Sequence, residues 1–298
     1  MAVLLNSSSK VVTLATNGPY GKALVEMMRD GNTKIVAAVS VGRGGTSFES
    51  IPVFDTVGAA VAATGADTAL IATPAAGCCS AIVECADAGI GLAVAVAEHV
   101  PIHDSLYALP YARERGMWVV GPNTTGMATP GEAILGGLAR GFSAPGRIGV
   151  IGRSGTLTMT VARIMAGHGI GQSTVVHIGG DMLAGRNPHE WLKLFIDDPK
   201  TDAIVYCGEI GGTKEYAMLD LVAASPKPFI AYIVGRHSPV GKRMGHAGAL
   251  IGADRESASA KISALAEAGA HIATSPYLIV KTLRELGFAP AADIRIPA

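Results

Sequence analysis

Two successive doubly wound α/β units, the first Rossmann-like and the second flavodoxin-like, are what the 298-residue sequence predicts. Three observations carry this expectation. Short apolar runs alternate with helical segments along both halves, as parallel sheets with right-handed crossovers require. The runs are continuously apolar instead of alternating, so their strands are buried on both faces. The rhythm stops once, over residues 124–146 (TTGMATPGEAILGGLARGFSAPG), where Gly and Pro cluster and no period survives. A length of roughly 100–200 residues per domain fits two domains. The expected division is a domain over 1–125, a linker over 126–146 and a second domain over 147–298.

Taken in order, VVTLAT (11–16) is the first strand, followed by the loop NGPYG and the amphipathic KALVEMMRDG. KIVAAVS (34–40) repeats the pattern before the glycine loop VGRGG. TALIAT (68–73), LAVAVAE (92–98) and MWVVGPN (117–123) are further strands, separated by the helical VGAAVAATGA, SAIVECADAG and HDSLYALPYARERG. RIGVIG (147–152) restarts the alternation, then the loop RSGT and the helix LTMTVARIMAGHG. QSTVVHIGGD (172–181), DAIVYCGEIGG (202–212) and KPFIAYIVG (227–235) are strands running into loops. PHEWLKLFIDD carries Pro188 at a first-turn position. ESASAKISALAEAG and PYLIVKTLREL are the last helices.

Composition narrows the partners. Hydrophobic residues make up 49% of the chain and aromatics only 5%, with 38 glycines, which suits close helix-on-sheet packing. Lys plus Arg and Asp plus Glu each number 24, so no global basic field attracts nucleic acid. Cys78, Cys79, Cys85 and Cys207 form no C-x-x-C pair and read as small apolar fillers, which points to a reducing cytoplasm. Met1–Asn6 lacks a positively charged n-region, so no secretory signal is expected. No segment approaches the ~18 uncharged apolar residues of a membrane span.

One feature recurs at the strand ends: NGPYG, VGRGG, GPNTTG, GRSGT, HIGGD, GEIGG and GHAG are loops of glycine and small polar residues. In open α/β sheets ligands bind beyond the carboxyl ends of the strands. Exposed backbone N–H groups at a following helix N-terminus favour phosphate there. A phosphate-rich ligand is one reading of these loops, and ordinary α/β turns are the other.

The octet GKRMGHAG (241–248) places His246 among residues with little side-chain bulk, after a strand and therefore at the carboxyl-end rim. The other histidines show no zinc-ligand spacing, and no G-x-S-x-G elbow exists for a serine hydrolase. A covalent phosphoryl carrier fits better. It needs an imidazole nitrogen to attack, a carboxylate on the other ring nitrogen, and donors for the transferred group. Glu209, at another strand end, could orient the ring, and Ser154, Gly155 and Thr156 open a helix that could cradle phosphoryl oxygens. A hydrogen-bonded loop histidine, a surface glutamate and an ordinary helix N-cap account for the same spacing.

In their order, GKRMGHAGA, GRSGTLT, IGGD, GEIGG and GPNTTG resemble the α-subunit family of succinyl-CoA synthetase. That family includes malate–CoA ligase, the small citryl-CoA synthetase subunit and the matching part of ATP-citrate lyase. The likeness runs from VVTLAT to the last helix, and GKRMGHAGA is its most specific motif. It implies an acyl-CoA synthetase forming a nucleoside diphosphate. A β subunit of ATP-grasp fold, holding ATP or GTP with Mg, phosphorylates the histidine. The carboxylic acid becomes an acyl phosphate, and the thiol of coenzyme A displaces phosphate. An αβ or α2β2 assembly follows.

Position by position, the resemblance implies that His246 is the phosphorylated histidine, that Glu209 orients it, and that Ser154, Gly155 and Thr156 steady it. For coenzyme A it implies the loop Asn17, Gly18, Pro19, Tyr20 and Gly21, with Arg43 in the place of a lysine, Pro74 in a turn and Glu98 at a strand end. An arginine offers both charge and a planar face for adenine. The chain itself has no G-x-x-x-x-G-K-[ST] loop, so the nucleotide would sit on another chain.

The sequence also departs from the family pattern, first at Pro19 and Tyr20 in the loop after the first strand. His177 stands where glycine is common, Arg236 and His237 replace small or apolar residues, Thr124 replaces a cysteine, and Gly152 a serine. These changes point to His177, Arg236 or His237 seating an anionic acid other than succinate. Two alternatives stand beside this reading: a non-catalytic CoA-binding subunit of the FdrA type, and an NAD(P)-dependent oxidoreductase. The intact His246 and Glu209 speak against the first, and NGPYGK, lacking the G-x-G-x-x-G spacing, against the second.

Overall fold

A computed structural model describes residues 3–239, 241–242, 244–246, 248–288 and 290. The chain packs into two compact units, one over residues 4–140 with 183–185, the other over 141–182 and from 186 onward.

The first unit begins with β1 (Lys10–Leu14), α1 (Pro19–Asp30), β2 (Lys34–Val39), β3 (Ser47–Phe48) and β4 (Ile51–Phe54). It continues with α2 (Val57–Thr64), β5 (Thr68–Ile71), α3 (Ala75–Asp87), β6 (Leu92–Ala95), α4 (Ile102–Glu114) and β7 (Trp118–Val120). Its sheet has the order β3-β4-β2-β1-β5-β6-β7, parallel except for the β3–β4 edge pair. The strand order reverses between β1 and β5, which opens a crevice at their carboxyl ends. This is the Rossmann-like arrangement expected of the first half. Fully buried Val12, Ile71, Ala93 and Cys85 fill its core.

Local chemistry sets the helix boundaries. Pro19 starts α1 at its first turn, and Leu24, Val25 and Met28 form its buried stripe. The Thr56 side chain accepts from Ala59 N at the start of α2, and Gly65 closes that helix in the left-handed region. Residues 126–146, expected as a linker, carry the antiparallel hairpin of β8 (Gly126–Thr129) and β9 (Ala133–Gly136). The hairpin docks on the first unit, where Thr33 Oγ1 donates to the Ile134 carbonyl at 2.6 Å. Its Gly-rich sequence hid it, because a short antiparallel hairpin needs no long apolar period.

The second unit holds β10 (Pro145–Gly152), α5 (Gly155–Gly167), β11 (Gln172–His177), α6 (Pro188–Asp197) and β12 (Ala203–Gly208). There follow α7 (Leu219–Ala224), β13 (Phe229–Ile233), α8 (Ala258–Glu267), β14 (His271–Ile272) and α9 (Pro276–Glu285). Parallel pairing runs β11-β10-β12-β13-β14. This is the flavodoxin-type order 2-1-3-4-5, and its switch point falls between β10 and β12. Buried Val150, Val161, Val205 and Ile279 form the core. Ser257 and Ser275 cap α8 and α9 through their side chains.

Candidate active site

At the switch point of the second sheet, β10 ends one residue before Arg153 and β12 ends one residue before Glu209. His246 does not follow a strand directly, as expected from the sequence. β13 stops at Ile233, and the histidine is brought back by the loop that follows. That loop meets the loop after β12 at two glycines. A Cβ on Gly211, whose φ is +84°, would lie 1.9 Å from the Gly248 carbonyl. The GEIGG and GHAG motifs therefore supply the absent bulk that lets the two backbones touch. Arg243 and Ala247 of the octet lie outside the described residues.

The contact this creates is the centre of the site. His246 Nδ1 lies 2.9 Å from Glu209 Oε2. A carboxylate only accepts, so Nδ1 carries the proton and the lone pair of the neutral ring is on Nε2. The ring is 31% exposed while Glu209 is 7% exposed, so the imidazole stands between a buried acid and the surface.

Behind Glu209 lies a buried set of charges. Arg153 Nη2 is 3.5 Å from Glu209 Oε1, and Arg153 Nη1 donates to the Gly211 carbonyl at 3.1 Å and to Glu215 Oε1 at 3.2 Å. Lys261 Nζ pairs with Glu215 Oε2 at 2.8 Å and donates to the carbonyls of Glu209 and Gly211. Tyr206 Oη donates to Glu215 Oε1 at 2.9 Å. Burial alone would raise the Glu215 carboxyl, but Arg153 and Lys261 outweigh it and hold the group below its ordinary range.

His177 ends β11, and its Nε2 donates to the Arg153 carbonyl at 3.1 Å. Burial first, and repulsion from His246 as well, push the His177 ring down to about 4. It is neutral near pH 7. Arg236 and His237 sit on an exposed turn after β13, and no described contact joins them to His246. Ser154 is the N-cap of α5, with no side-chain cap bond, so the amides of Gly155 and Thr156 begin that helix without one. Lys214, on the loop after Glu209, is lowered to about 8 by burial and by Arg153, and its Nζ donates to the Met182 carbonyl.

The residues expected to hold coenzyme A lie along the carboxyl edge of the first sheet. Asn17 and Arg43 line one cavity of about 190 Å³ together with Ser40, Thr46 and Phe48. Both Arg43 N and Gly44 N donate to Asp55 Oδ1, which fixes the loop that presents the guanidinium. Gly18 caps α1 and Pro74 caps α3, neither with a side-chain bond. Gly21 has to be glycine, since a Cβ there would fall 2.3 Å from Thr16 Cα. Partial burial, and after it the Glu98 carboxylate, raise the Tyr20 phenol above its ordinary range. Two uncapped helix starts and an open cation fit a ligand carrying several phosphates.

Family models match both units, a CoA binding domain over residues 15–99 and a CoA-ligase over 151–271. The succinate–CoA ligase [ADP-forming] subunit alpha 2 of Archaeoglobus fulgidus is 40% identical over 286 residues, 96% of this chain and 100% of that one. The chain belongs to the succinate–CoA ligase subunit alpha family. The Aquifex aeolicus member is 41% identical over 96% of this chain and 95% of its own. An ATP citrate lyase from Methanothrix soehngenii, solved with citrate and coenzyme A, superposes with a TM-score of 0.85 at 25% identity. The superposition covers 99% of this chain, which spans 54% of the length of that one.

Reading the family motifs as sequence missed three members of this site: Arg153, Glu215 and Lys261. A signal for one of them was present. On α8 the buried positions are Ala258, Lys261 and Leu265, so helical spacing puts a lysine on the apolar face. A cation there requires a buried anion.

Proposed function

We propose that this chain is the α subunit of a nucleoside-diphosphate-forming carboxylate–CoA ligase, with His246 as its phosphoryl carrier. The observation that carries this is the 2.9 Å contact between His246 Nδ1 and the buried Glu209. Nε2 attacks the γ-phosphorus of a nucleoside triphosphate, and the bond to the leaving diphosphate oxygen breaks. Glu209 stabilises the positive charge that the ring gains. A carboxylate oxygen of the acid then takes the phosphoryl group from Nε2, giving an acyl phosphate. The coenzyme A thiol, losing its proton, attacks the acyl carbon and releases inorganic phosphate.

Asn17, Gly18, Pro19, Tyr20, Gly21, Arg43, Pro74 and Glu98 are the proposed coenzyme A contacts, and Ser154, Gly155 and Thr156 the proposed cradle of the phosphohistidine. A β subunit of ATP-grasp fold is the proposed source of ATP or GTP with Mg. Within the described residues no group of three or more His, Cys, Asp or Glu could hold a metal. Among them no helix is long and apolar enough to cross a membrane. The free thiols of the four cysteines suit the cytoplasm as the working compartment. His177, whose ring is lowered by burial and in part by His246, supports an acid other than succinate more than the exposed Arg236 or His237 does.

Incubation of the αβ complex with γ-labelled ATP tests the reading. Acid-labile, base-stable label on His246, chased off by an acid plus coenzyme A, is expected. A complex that makes acyl-CoA with no label on this chain would sink it. Screening diphosphate release over dicarboxylates, tricarboxylates, hydroxyacids and sulfonated acids identifies the substrate.

A further inference from the structure

Resting on that reading, we propose that Glu215 is a positioning residue for the phosphoryl-carrying histidine, acting by holding Arg153 off the carboxylate that His246 uses. The four buried charges balance as two cations, Arg153 and Lys261, against two carboxylates, Glu209 and Glu215. Their division is uneven. Glu215 engages both cations, with Oε1 on Arg153 at 3.2 Å and Oε2 facing Lys261 at 2.8 Å. Glu209 receives only the longer 3.5 Å approach of Arg153 on its Oε1. Its other oxygen is given to His246.

A guanidinium prefers two short parallel bonds to one carboxylate. Arg153 is kept from that arrangement on Glu209 by its contact with Glu215 and by the Gly211 carbonyl. Tyr206 fixes Glu215 from below, and Lys261 ties the backbone of Glu209 and Gly211 to the same carboxylate. Neutralising Glu215 would free Arg153 to close on Glu209 Oε1. Negative charge would then be drawn away from Oε2, and the bond to Nδ1 would weaken just where the phosphorylated ring needs it. The fold thus places a counter-anion behind the acid that orients the reacting ring, and so leaves one carboxylate oxygen available. Glu215 itself is 1% exposed, so it works only through its neighbours.

The test uses the αβ complex with γ-labelled ATP, together with ¹⁵N-edited NMR of the His246 Nδ1–H. Glu215→Gln is expected to slow labelling about tenfold, the effect of weakening one charge-assisted bond, and to move the Nδ1–H resonance upfield. Glu215→Asp keeps the charge and is expected to label within about threefold of the parent. The pair Glu215→Gln with Arg153→Gln removes the competing guanidinium, so labelling recovers relative to Glu215→Gln alone. A purely architectural role predicts the opposite, with the double variant worse than either single one. Should Glu215→Gln fail to fold, the double variant measured against Arg153→Gln decides the same question: Glu215→Gln adds no further loss if it acts through Arg153. Coenzyme A affinity, measured by calorimetry, stays within about twofold throughout because the first unit is untouched. Unchanged label and an unmoved Nδ1–H in Glu215→Gln would overturn the proposal. Lack of label on the parent complex overturns the phosphoryl reading instead, and the NMR arm still decides whether Glu215 governs the Glu209 bond.

Discussion

Both units carry a site at the carboxyl edge of a parallel sheet, yet they are built in opposite ways. In the second unit the functional side chains are locked from behind: Glu209, Glu215, Arg153 and Lys261 are all buried and bonded to one another. In the first, Asn17, Arg43 and Glu98 are exposed, and the fixed parts are backbone: two uncapped helix starts and a loop pinned by Asp55. The difference follows from the tasks proposed for them. A reacting nitrogen has to be aimed before its partner arrives, and buried charges aim well because leaving any one unpaired costs several kcal/mol. A large diffusible ligand brings its own charges, so its site keeps donors open and lets the ligand complete them.

The sharpest way to break this contrast is to remove the aimed ring. His246→Asn is expected to abolish phosphoryl labelling and lower acyl-CoA formation by roughly 10⁴-fold or more, with coenzyme A affinity unchanged. Retained label on the chain would move the carrier elsewhere. Glu209→Gln comes next. It keeps the shape but trades an acceptor for a donor or a neutral oxygen, so the tautomer is no longer fixed. A fall of roughly 10²- to 10⁴-fold in labelling is expected, as for other orienting carboxylates, visible as a loss in kcat with little change in KM for coenzyme A.

How much of this was legible in the sequence differs between the units for a physical reason. The continuous apolar runs of β1, β5, β10 and β12 announced both parallel sheets, since burial on two faces leaves no polar position to confuse the pattern. The hairpin of β8 and β9 was hidden by its glycines, and the edge strands β3 and β4 by their shortness. Glu209 and His246 were legible as motif residues, but not their contact, which depends on a loop that returns thirteen residues after β13. Arg153 lies inside the GRSGT motif, but in the sequence nothing separates it from a solvated loop cation. A buried charge network has no sequence period, because its members come from β10, from the loop after β12 and from α8.

His177 offers a smaller test, of the second unit's rigidity. Its ring sits at about 4 in the folded chain against an ordinary 6.5, mainly because burial disfavours the cation. The unfolded chain therefore takes up the proton first as pH falls. This contribution to stability is complete above 6.5 and is lost on the way down to 4. Between pH 7 and pH 5 the loss is on the order of 2 kcal/mol. In His177→Asn the decline of melting temperature over that interval should be visibly shallower. Equal slopes in the two proteins would mean that another group sets the acid limit.

The gentlest perturbation belongs to the first unit. Arg43 lines the cavity with Asn17 and Ser40, and its side chain is exposed, so Arg43→Ala disturbs little packing. The expected effect is a rise of about tenfold in KM for coenzyme A, one charge-assisted phosphate contact, with no change in His246 labelling. Arg43→Lys keeps the charge and loses the planar fork, so it should fall between the two. Dephospho-coenzyme A identifies the contact. If Arg43 holds the 3′-phosphate, removing that phosphate weakens binding to the parent chain but costs Arg43→Ala nothing further. Fully additive losses would instead put Arg43 against the adenine or the pyrophosphate, and an unchanged KM would leave recognition in the first unit to its backbone amides alone.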